Sequence, residues 1–591
     1  MRELLSGNEA VARGAWEGGV RVASAYPGTP STEILESLAR YEGVAAEWAP
    51  NEKVALDVAI GAAYAGVRAM AVMKHVGLNV AADSFFYAAM TGVEAGLLVV
   101  VADDPGMHSS QNEQDSRRYA RFARVPCLEP SDSQEAKDLV GLALAISEEF
   151  GGPVLLRTST RIAHSSAVVE LGPPPAPAGP VPPYRVDPAK YVMVPANARP
   201  RHPIMEERIA RLAAWAETFP ANRLEWRDRR LGIVTAGVAY QYAREVLPEA
   251  SILRLGMTYP VPAQLLRQFA AGVERLIVLE ELDPFLEEEL RLLGIAAEGS
   301  GIFPRCGELD PTVVRESAIR AGLLPESERR PTVRPEAPPL PPRPPILCPG
   351  CPHRGVFHVL RKLKLVVNGD IGCYTLGYLP PLGALHTCGC MGASIGVAHG
   401  VAQARPEGSR NVAVIGDSTF LHSGMPALLN LAYNQGHSVV VILDNQTTAM
   451  TGHQDHPATG RTLRGQETVR VDLPTLARAL GIEHVYVADS YDLKAVEEAM
   501  RAGLAAEAPA VVIAQRACVL LPSVRPTWRA LAVDAERCNG CGLCLQLGCP
   551  ALSRTDQITA AARAIVRIDP LLCTGCRVCA QVCVRKAISD P

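Results

Sequence analysis

Two groups of residues in this chain could do chemistry, one through oxygen and one through sulfur. Val412–Ile415 is an apolar run too short for anything but a buried strand, and Gly416-Asp417-Ser418 follows it. Leu428, Leu429, Leu431, Ala432 and Tyr433 then recur at helical spacing, and Gly436 stops the helix. Val439–Leu443 is a second short apolar run, closed by Asp444-Asn445. Strand, turn, helix, strand is one unit of a parallel sheet, and such sheets bind ligands at the carboxyl ends of their strands. Asp417 and Asn445 both stand at such ends. A carboxylate, an amide oxygen and a nearby backbone carbonyl suit an octahedral Mg²⁺ that also carries phosphate oxygens. The same residues could equally be the polar rim of an ordinary turn.

Of the 16 cysteines, eight fall within residues 538–591. Cys538, Cys541 and Cys544 stand two residues apart, and Cys549-Pro550 follows after four more. Cys573, Cys576 and Cys579 repeat the pattern, with Cys583 three residues on. Three thiolates on such a tight turn cap one face of an iron–sulfur cubane and a distant fourth closes it. Zinc sites pair CxxC units and rarely need three thiols so close together.

The elements that must position these groups are those of a large globular chain. Its 591 residues allow about four domains at ~150 residues each. Apolar content of 48% is enough to bury several cores, and a net charge of −4 gives no reason to expect nucleic acid or an anionic membrane as partner. No apolar run approaches the ~18 residues of a membrane span. The opening MRELLSGNEA lacks the apolar core of a signal peptide. The expectation is a cytoplasmic protein whose cysteines ligate metal rather than form disulfides.

Residues 1–170 read as an α/β domain. Ala25–Ser31 is a Gly/Pro turn, Thr32 begins a helix, Glu52 opens another, and Ala69–Met73 and Leu97–Ala102 are buried strands separated by Lys74-His75-Val76-Gly77-Leu78-Asn79. Residues 171–205 are Pro-rich without helical period and read as a surface linker. Residues 206–325 carry strand-like runs at Leu231–Thr235, Ser251–Leu255 and Leu276–Leu279. Residues 326–345 are a second Pro-rich linker. Residues 346–525 hold the Asp417–Asn445 unit, and 526–591 hold the tail cysteines.

Gly-Asp, a small third residue and an Asn 28 positions after the Asp resemble the thiamine diphosphate (ThDP) fold, although Ser418 stands where Gly is usual. The resemblance implies Mg²⁺ held by Asp417, Asn445 and the carbonyl of Thr447, with Gly416 and Ser418 beside the diphosphate. It also implies a Glu from a pyrimidine domain against the aminopyrimidine ring. Glu52, in Asn51-Glu52-Lys53, matches that place. Simple dipole stabilisation puts a Glu near a helix start as well. Thr29, His75 and Asn79 are candidates to line the substrate pocket, or satisfied structural residues. The tail resembles a two-cluster ferredoxin, in which the fourth Cys of each run crosses to the other cluster. Cluster one would use Cys538, Cys541, Cys544 and Cys583; cluster two would use Cys549, Cys573, Cys576 and Cys579. Two details depart from the plain pattern, the four-residue gap before Cys549 and Val584 in place of Pro. In 2-oxoacid:ferredoxin oxidoreductases a further cluster lies beside ThDP, and Cys348, Cys351, Cys373 and Cys518 fit its pattern. Those thiols also read as a zinc site, or as a Pro-Gly turn with unrelated cysteines.

Taken together, AYPGTPS, NEKVALDVAIGAA, MKHVGLNVAAD, LCPGCPHR, CMGASIGVAHG and GDSTFLHSGM make essentially all 591 residues resemble the alpha subunit of indolepyruvate:ferredoxin oxidoreductases. That resemblance implies an α/β multidomain chain. Its parts are a pyrimidine-binding ThDP domain (1–170), a transketolase C-terminal-like domain (206–325), a diphosphate-binding ThDP domain (346–525) and a 2×[4Fe-4S] ferredoxin domain (526–591). It implies oxidative decarboxylation of aryl 2-oxo acids to aryl-acyl-coenzyme A, with a ThDP enamine oxidised electron by electron through the clusters to ferredoxin. The expected partners are a small beta subunit in an alpha2beta2-type oligomer, coenzyme A and ferredoxin. Phenylglyoxylate as substrate, or a non-catalytic electron-transfer role, are the alternatives.

Overall fold

The computed structural model describes residues 1–176, 179–181, 183–329, 344–404, 411–525 and 528–591. The chain divides into two compact units, Met1–Glu336 and Ala337–Pro591.

The first unit is built on a seven-stranded sheet. Its spatial order is Met257–Tyr259, Cys127–Leu128, Val154–Ser159, Leu97–Asp103, Ala69–Lys74, Val22–Ala25 and Ala45–Trp48. Every neighbouring pair is parallel except the first. Leu97–Asp103 is buried at all seven positions, the continuous apolar run expected of a strand covered on both faces. From Val22–Ala25 the chain first adds Ala45–Trp48 on one side and then Ala69–Lys74 on the other. The crevice between Val22–Ala25 and Ala69–Lys74 is therefore a topological switch point, where α/β sheets place ligands. The Gly/Pro turn and Lys74 both stand at its carboxyl end.

A second sheet of this unit runs Arg275–Leu279, Asp228–Ala236, Ala250–Leu255 and Arg223–Glu225, antiparallel only at the last pair. Met257–Tyr259 leaves this region to pair with Cys127–Leu128, so the segment read as a separate unit completes the edge of the first sheet. The linker expected over 171–205 is also corrected. Pro188–Tyr191 is a short helix, and the helix Pro195–Ala216 begins inside that stretch. Pro195 stands in its first turn, where a missing N–H is no loss. Pro200 and Pro203 remove interior bonds, and the helix persists because Met205, Arg208, Leu212 and Ala216 bury one face. Arg208 donates to the carbonyls of Gly151, at 3.2 Å, and Ala89, at 2.5 Å. Of the second Pro-rich stretch, Glu326–Glu328 is one 3₁₀ turn, and 330–343 lie outside the described residues.

The second unit carries a six-stranded, fully parallel sheet. Its order is Thr387–Cys388, Val366–Gly369, Asn411–Gly416, Val439–Asp444, Ala510–Gln515 and His484–Asp489. Val412 and Val414 pack into one core, Ala413 and Ile415 into the other, as a two-residue period dictates. After Val366–Gly369 the chain steps out to Thr387–Cys388 and back to Asn411–Gly416. The switch point thus falls between Gly369-Asp370 and Gly416-Asp417. The tail is small. It has two two-stranded sheets, Ala532–Val533 with Ile588–Ser589 and Leu552–Ile558 with Ala564–Ile568, and among its described residues the buried apolar side chains are Leu531, Cys544, Leu547, Ala551, Val566, Val578, Ala587 and Ile588. Its expected boundary at 525/526 touches 526–527, outside the described residues.

Candidate functional site

At the switch point of the second unit, Asp417, Asn445 and Thr447 converge. The amide oxygen of Asn445 lies 3.3 Å from Asp417 Oδ1 and 2.7 Å from the carbonyl oxygen of Thr447 and accepts one long bond, 3.4 Å, from Thr447 N; with the amide turned over, its nitrogen would donate to both oxygens. Octahedral Mg²⁺ with oxygens at 2.0–2.1 Å sets adjacent ligands about 3 Å apart. Both separations from Asn445 are close to that spacing, so these oxygens suit neighbouring positions on a Mg²⁺ shell, and the turned amide bridges the same two acceptors without a cation. Backbone amides fix the carboxylate, Ser418 N to Oδ1 at 2.8 Å and Gln446 N to Oδ2 at 2.8 Å. Burial opposes ionisation of Asp417, but His456, with Nε2 3.3 Å from Oδ2, and the Ser418 amide hold it below the usual carboxylate range. Burial and Asp417 push neighbouring Asp444 up to about 6. Ser418 Oγ accepts from Thr448 at 3.0 Å. Gly416 has no room for a side chain, since a Cβ there would come 2.8 Å from the Tyr374 ring.

At the switch point of the first unit, Asn51 caps the helix Glu52–Tyr64 through Val54 N at 2.9 Å, and Glu52 is 5% exposed. Gly77 makes the room, for a Cβ there would sit 2.7 Å from Glu52 Oε1. Lys74 lies alongside. Burial lowers its pKa against the pull of Asp104 and Glu52, and its Nζ donates to Ser109 O at 3.0 Å. The turn before Thr29 packs on the same lysine, since a Cβ at Gly28 would meet its Cγ at 3.2 Å, and the Thr29 carbonyl accepts from Ser109 Oγ at 3.2 Å. Glu52, Thr29 and Lys74 therefore share one locus. His75 is buried with Nε2 3.2 Å from Asn112 O. Asn79 is exposed and bonded to Tyr119 at 2.7 Å; two residues from Gly77, it points to the other side of its helix.

All sixteen cysteines are free thiols. Among the described residues no three His, Cys, Asp or Glu side chains stand close enough as placed to hold a metal ion, but twelve of the thiols lie near enough to influence one another in three sets. Burial and the neighbouring Cys583, Cys541 and Cys538 push Cys544 up to about 11. Burial, Cys576, Cys549 and Cys573 raise Cys579, and Cys544 raises it further. Burial, Cys373 and Cys348 raise Cys351, while burial, Cys518 and Cys348 push Cys373 up to about 12. Mutual repulsion of this kind is what iron relieves, because ligation requires the thiolate. The quartets also adjoin one another. Cys351 lines the same small cavity, about 30 Å³, as Cys549, Cys573, Cys576 and Cys579. Gly350, at φ +68°, lies so close to Thr574 that any Cβ would collide with its hydroxyl. The Cys518 amide donates to the Asn445 carbonyl at 3.0 Å, which ties the first quartet to the oxygen triangle.

Lys74, His456 and Asp370 escaped the sequence reading. The first two stand alone with no spacing that marks them. Asp370, pushed up to about 6 by burial, follows Gly369 in the stretch Asn368–Cys373 and accepts from Ser394 N at 3.2 Å, yet nothing in its pattern separates it from a turn residue.

Residues 13–213 match the family described as pyruvate flavodoxin/ferredoxin oxidoreductase, thiamine diP-binding. Residues 370–514 match the thiamine pyrophosphate enzyme, C-terminal TPP binding domain, and 530–584 the 4Fe-4S dicluster domain. A ThDP-dependent oxidoreductase with iron–sulfur centres is thereby defined. Indolepyruvate oxidoreductase subunit IorA of Pyrococcus horikoshii is 42% identical over 627 aligned positions, 98% of this chain and 95% of the relative. That of Methanothermobacter thermautotrophicus is 42% identical over 615 positions, 99% and 97% of the two chains. The chain belongs to the indolepyruvate oxidoreductase subunit IorA family. A solved 2-oxoglutarate:ferredoxin oxidoreductase from Magnetococcus marinus, with 2-oxoglutarate, coenzyme A and succinyl-CoA bound, aligns over 54% of this chain and 65% of its own, at 19% identity and TM-score 0.46.

Proposed function

We propose that this chain oxidatively decarboxylates aryl 2-oxo acids, indolepyruvate among them, to aryl-acyl-coenzyme A and passes the electrons to ferredoxin. The observation that carries this reading is the hydrogen bond from Cys518 N to Asn445 O. It joins a Mg²⁺ ligand to a cluster ligand, so the diphosphate end of the cofactor and the first thiol quartet are held by one loop system. When bound, ThDP supplies the electron sink that lets CO₂ leave a 2-oxo acid.

Asp417, Asn445 and Thr447 O would hold Mg²⁺, and Gly416 and Ser418 would border the diphosphate. Glu52, buried at a helix start, would be the carboxylate that hydrogen-bonds the aminopyrimidine. Thr29 and Lys74 border the same locus, with His75 behind them; Asn79 faces away. Cys348, Cys351, Cys373 and Cys518 bind a [4Fe-4S] cluster. Cys549, Cys573, Cys576 and Cys579 bind the second, and Cys538, Cys541, Cys544 and Cys583 the third. Cys351 shares a cavity with the second set and Cys544 lies near Cys579, so clusters held there would stand in series, the last beside exposed Cys541. A small beta subunit, as the relatives' subunit name suggests, completes an alpha2beta2-type assembly. The site is read as cytoplasmic, and among the described residues no helix is long and apolar enough to cross a membrane.

Anaerobic assay of the co-expressed subunits with indolepyruvate, phenylpyruvate, phenylglyoxylate and pyruvate tests the substrate class. The arylpyruvates should turn over fastest with coenzyme A present; fastest turnover of pyruvate overturns the reading.

A further inference from the structure

Arg354 follows the Cys348–Cys351 loop as the second residue of the helix His353–Lys362. It is 4% exposed. Its Nε donates to Cys348 O at 3.0 Å, Nη1 to Leu547 O at 3.0 Å, and Nη2 to Leu347 O. Leu547 belongs to the cysteine-rich tail, so one guanidinium clasps both the CPGC loop and the ferredoxin-like part. It also lines the cavity between Cys351 and the quartet Cys549, Cys573, Cys576 and Cys579. Among the described residues no carboxylate pairs with it. The groups that favour its charge against burial are thiols, Cys549, Cys351, Cys348 and Cys576.

A buried, unpaired guanidinium is costly, and three carbonyl dipoles offset only part of that cost. A cubane held by four thiolates is a net anion and gains one more negative charge on reduction. Two such anions on either side supply the missing counter-charge. We propose that Arg354 is an electrostatic bridge between the cluster of Cys348, Cys351, Cys373 and Cys518 and the cluster of Cys549, Cys573, Cys576 and Cys579, raising the reduction potential of both. The proposal rests on the three-cluster reading above. One electron leaves the first cluster as the second gains it. The guanidinium stays protonated throughout and exchanges no proton. A fixed cation favours the reduced form of each neighbour and screens the two from one another, so both accept electrons more readily than they would alone.

The test compares wild type, Arg354→Gln and Arg354→Lys as the full chain with its partner, purified anaerobically. Iron and sulfide are counted, then each cluster is titrated by EPR. Wild type should hold about twelve irons, four per cluster. In Arg354→Gln, with iron retained, the reduced-to-oxidised ratio of the two flanking clusters at fixed potential should fall about tenfold, a negative shift of ~59 mV for a one-electron couple. The cluster of Cys538, Cys541, Cys544 and Cys583 should stay in place. Arg354→Lys, which keeps the charge but not the fork, should recover most of the shift. Full iron with unmoved potentials in Arg354→Gln overturns the bridge while leaving three clusters standing. Iron loss in both variants overturns it too, because Arg354 would then be a clamp alone. About eight irons in wild type overturns the three-cluster reading itself, and the bridge with it.

Discussion

The oxygen triangle and the thiol quartets of the tail hold charge in opposite ways. Asp417 and Asn445 sit on strand ends of a six-stranded parallel sheet with a core on each face, and backbone amides already fix the carboxylate. The fold makes that site. Among its described residues the tail buries eight apolar side chains, the ligand Cys544 and two alanines among them, and packs the remaining thiols around them. There the ligands must make the fold, since so little apolar surface is buried otherwise.

Removing the ions should expose this difference most sharply. Iron chelation should unfold residues 528–591 while the sheet around Val412–Ile415 keeps its protection. Hydrogen exchange in the tail should accelerate on the order of 10³-fold, about 4 kcal/mol of local stability. Equal acceleration in both regions would erase the distinction. Next in size is Glu52→Ala, which should keep ThDP bound yet lose roughly 10²–10⁴-fold in kcat; normal turnover in that variant would refute the role. Asp417→Asn keeps the shape of the triangle but removes its charge. It should weaken Mg²⁺–ThDP binding roughly 10–10²-fold by calorimetry and leave iron content unchanged, because the strand ends need no ion to form. A drop in iron would show the two regions to be coupled after all.

The smallest effect separates the α/β scaffold from the tail by pH. Burial pushes Glu281 from 4.5 up to about 7, beside Arg157 and Arg117. Between those values the folded chain holds a proton that the unfolded chain has released. The stability is thus full below pH about 4.5 and falls as pH rises through 7. Glu281→Gln removes that loss. At pH 8 the first unit should gain roughly 1–3 kcal/mol over wild type in denaturant unfolding, with no gain at pH 4. A gain at both pH values would point to packing instead.

The contrast also explains what could be read from the chain alone. Short apolar runs ending in Gly416-Asp417 and Asp444-Asn445 mark buried parallel strands because covered strands tolerate little else, and the cysteine runs are dictated by cubane geometry. Met257–Tyr259 was illegible. It is three residues long, and its partner, Cys127–Leu128, lies well over a hundred residues away. The helix Pro195–Ala216 was hidden by prolines that its buried face overrides. Lys74, His456 and Arg354 are single residues whose neighbours come from distant strands and loops. Only the folded chain shows what each one faces.

The most direct test mixes the anaerobic holoenzyme with indolepyruvate and coenzyme A and follows cluster reduction in a single turnover by absorbance and EPR. Reduction should require both ThDP and Mg²⁺, should vanish in Glu52→Ala, and should match formation of the acyl-coenzyme A product. Clusters that reduce without ThDP, or product that forms while every cluster stays oxidised, would contradict a cofactor emptied through the thiol quartets.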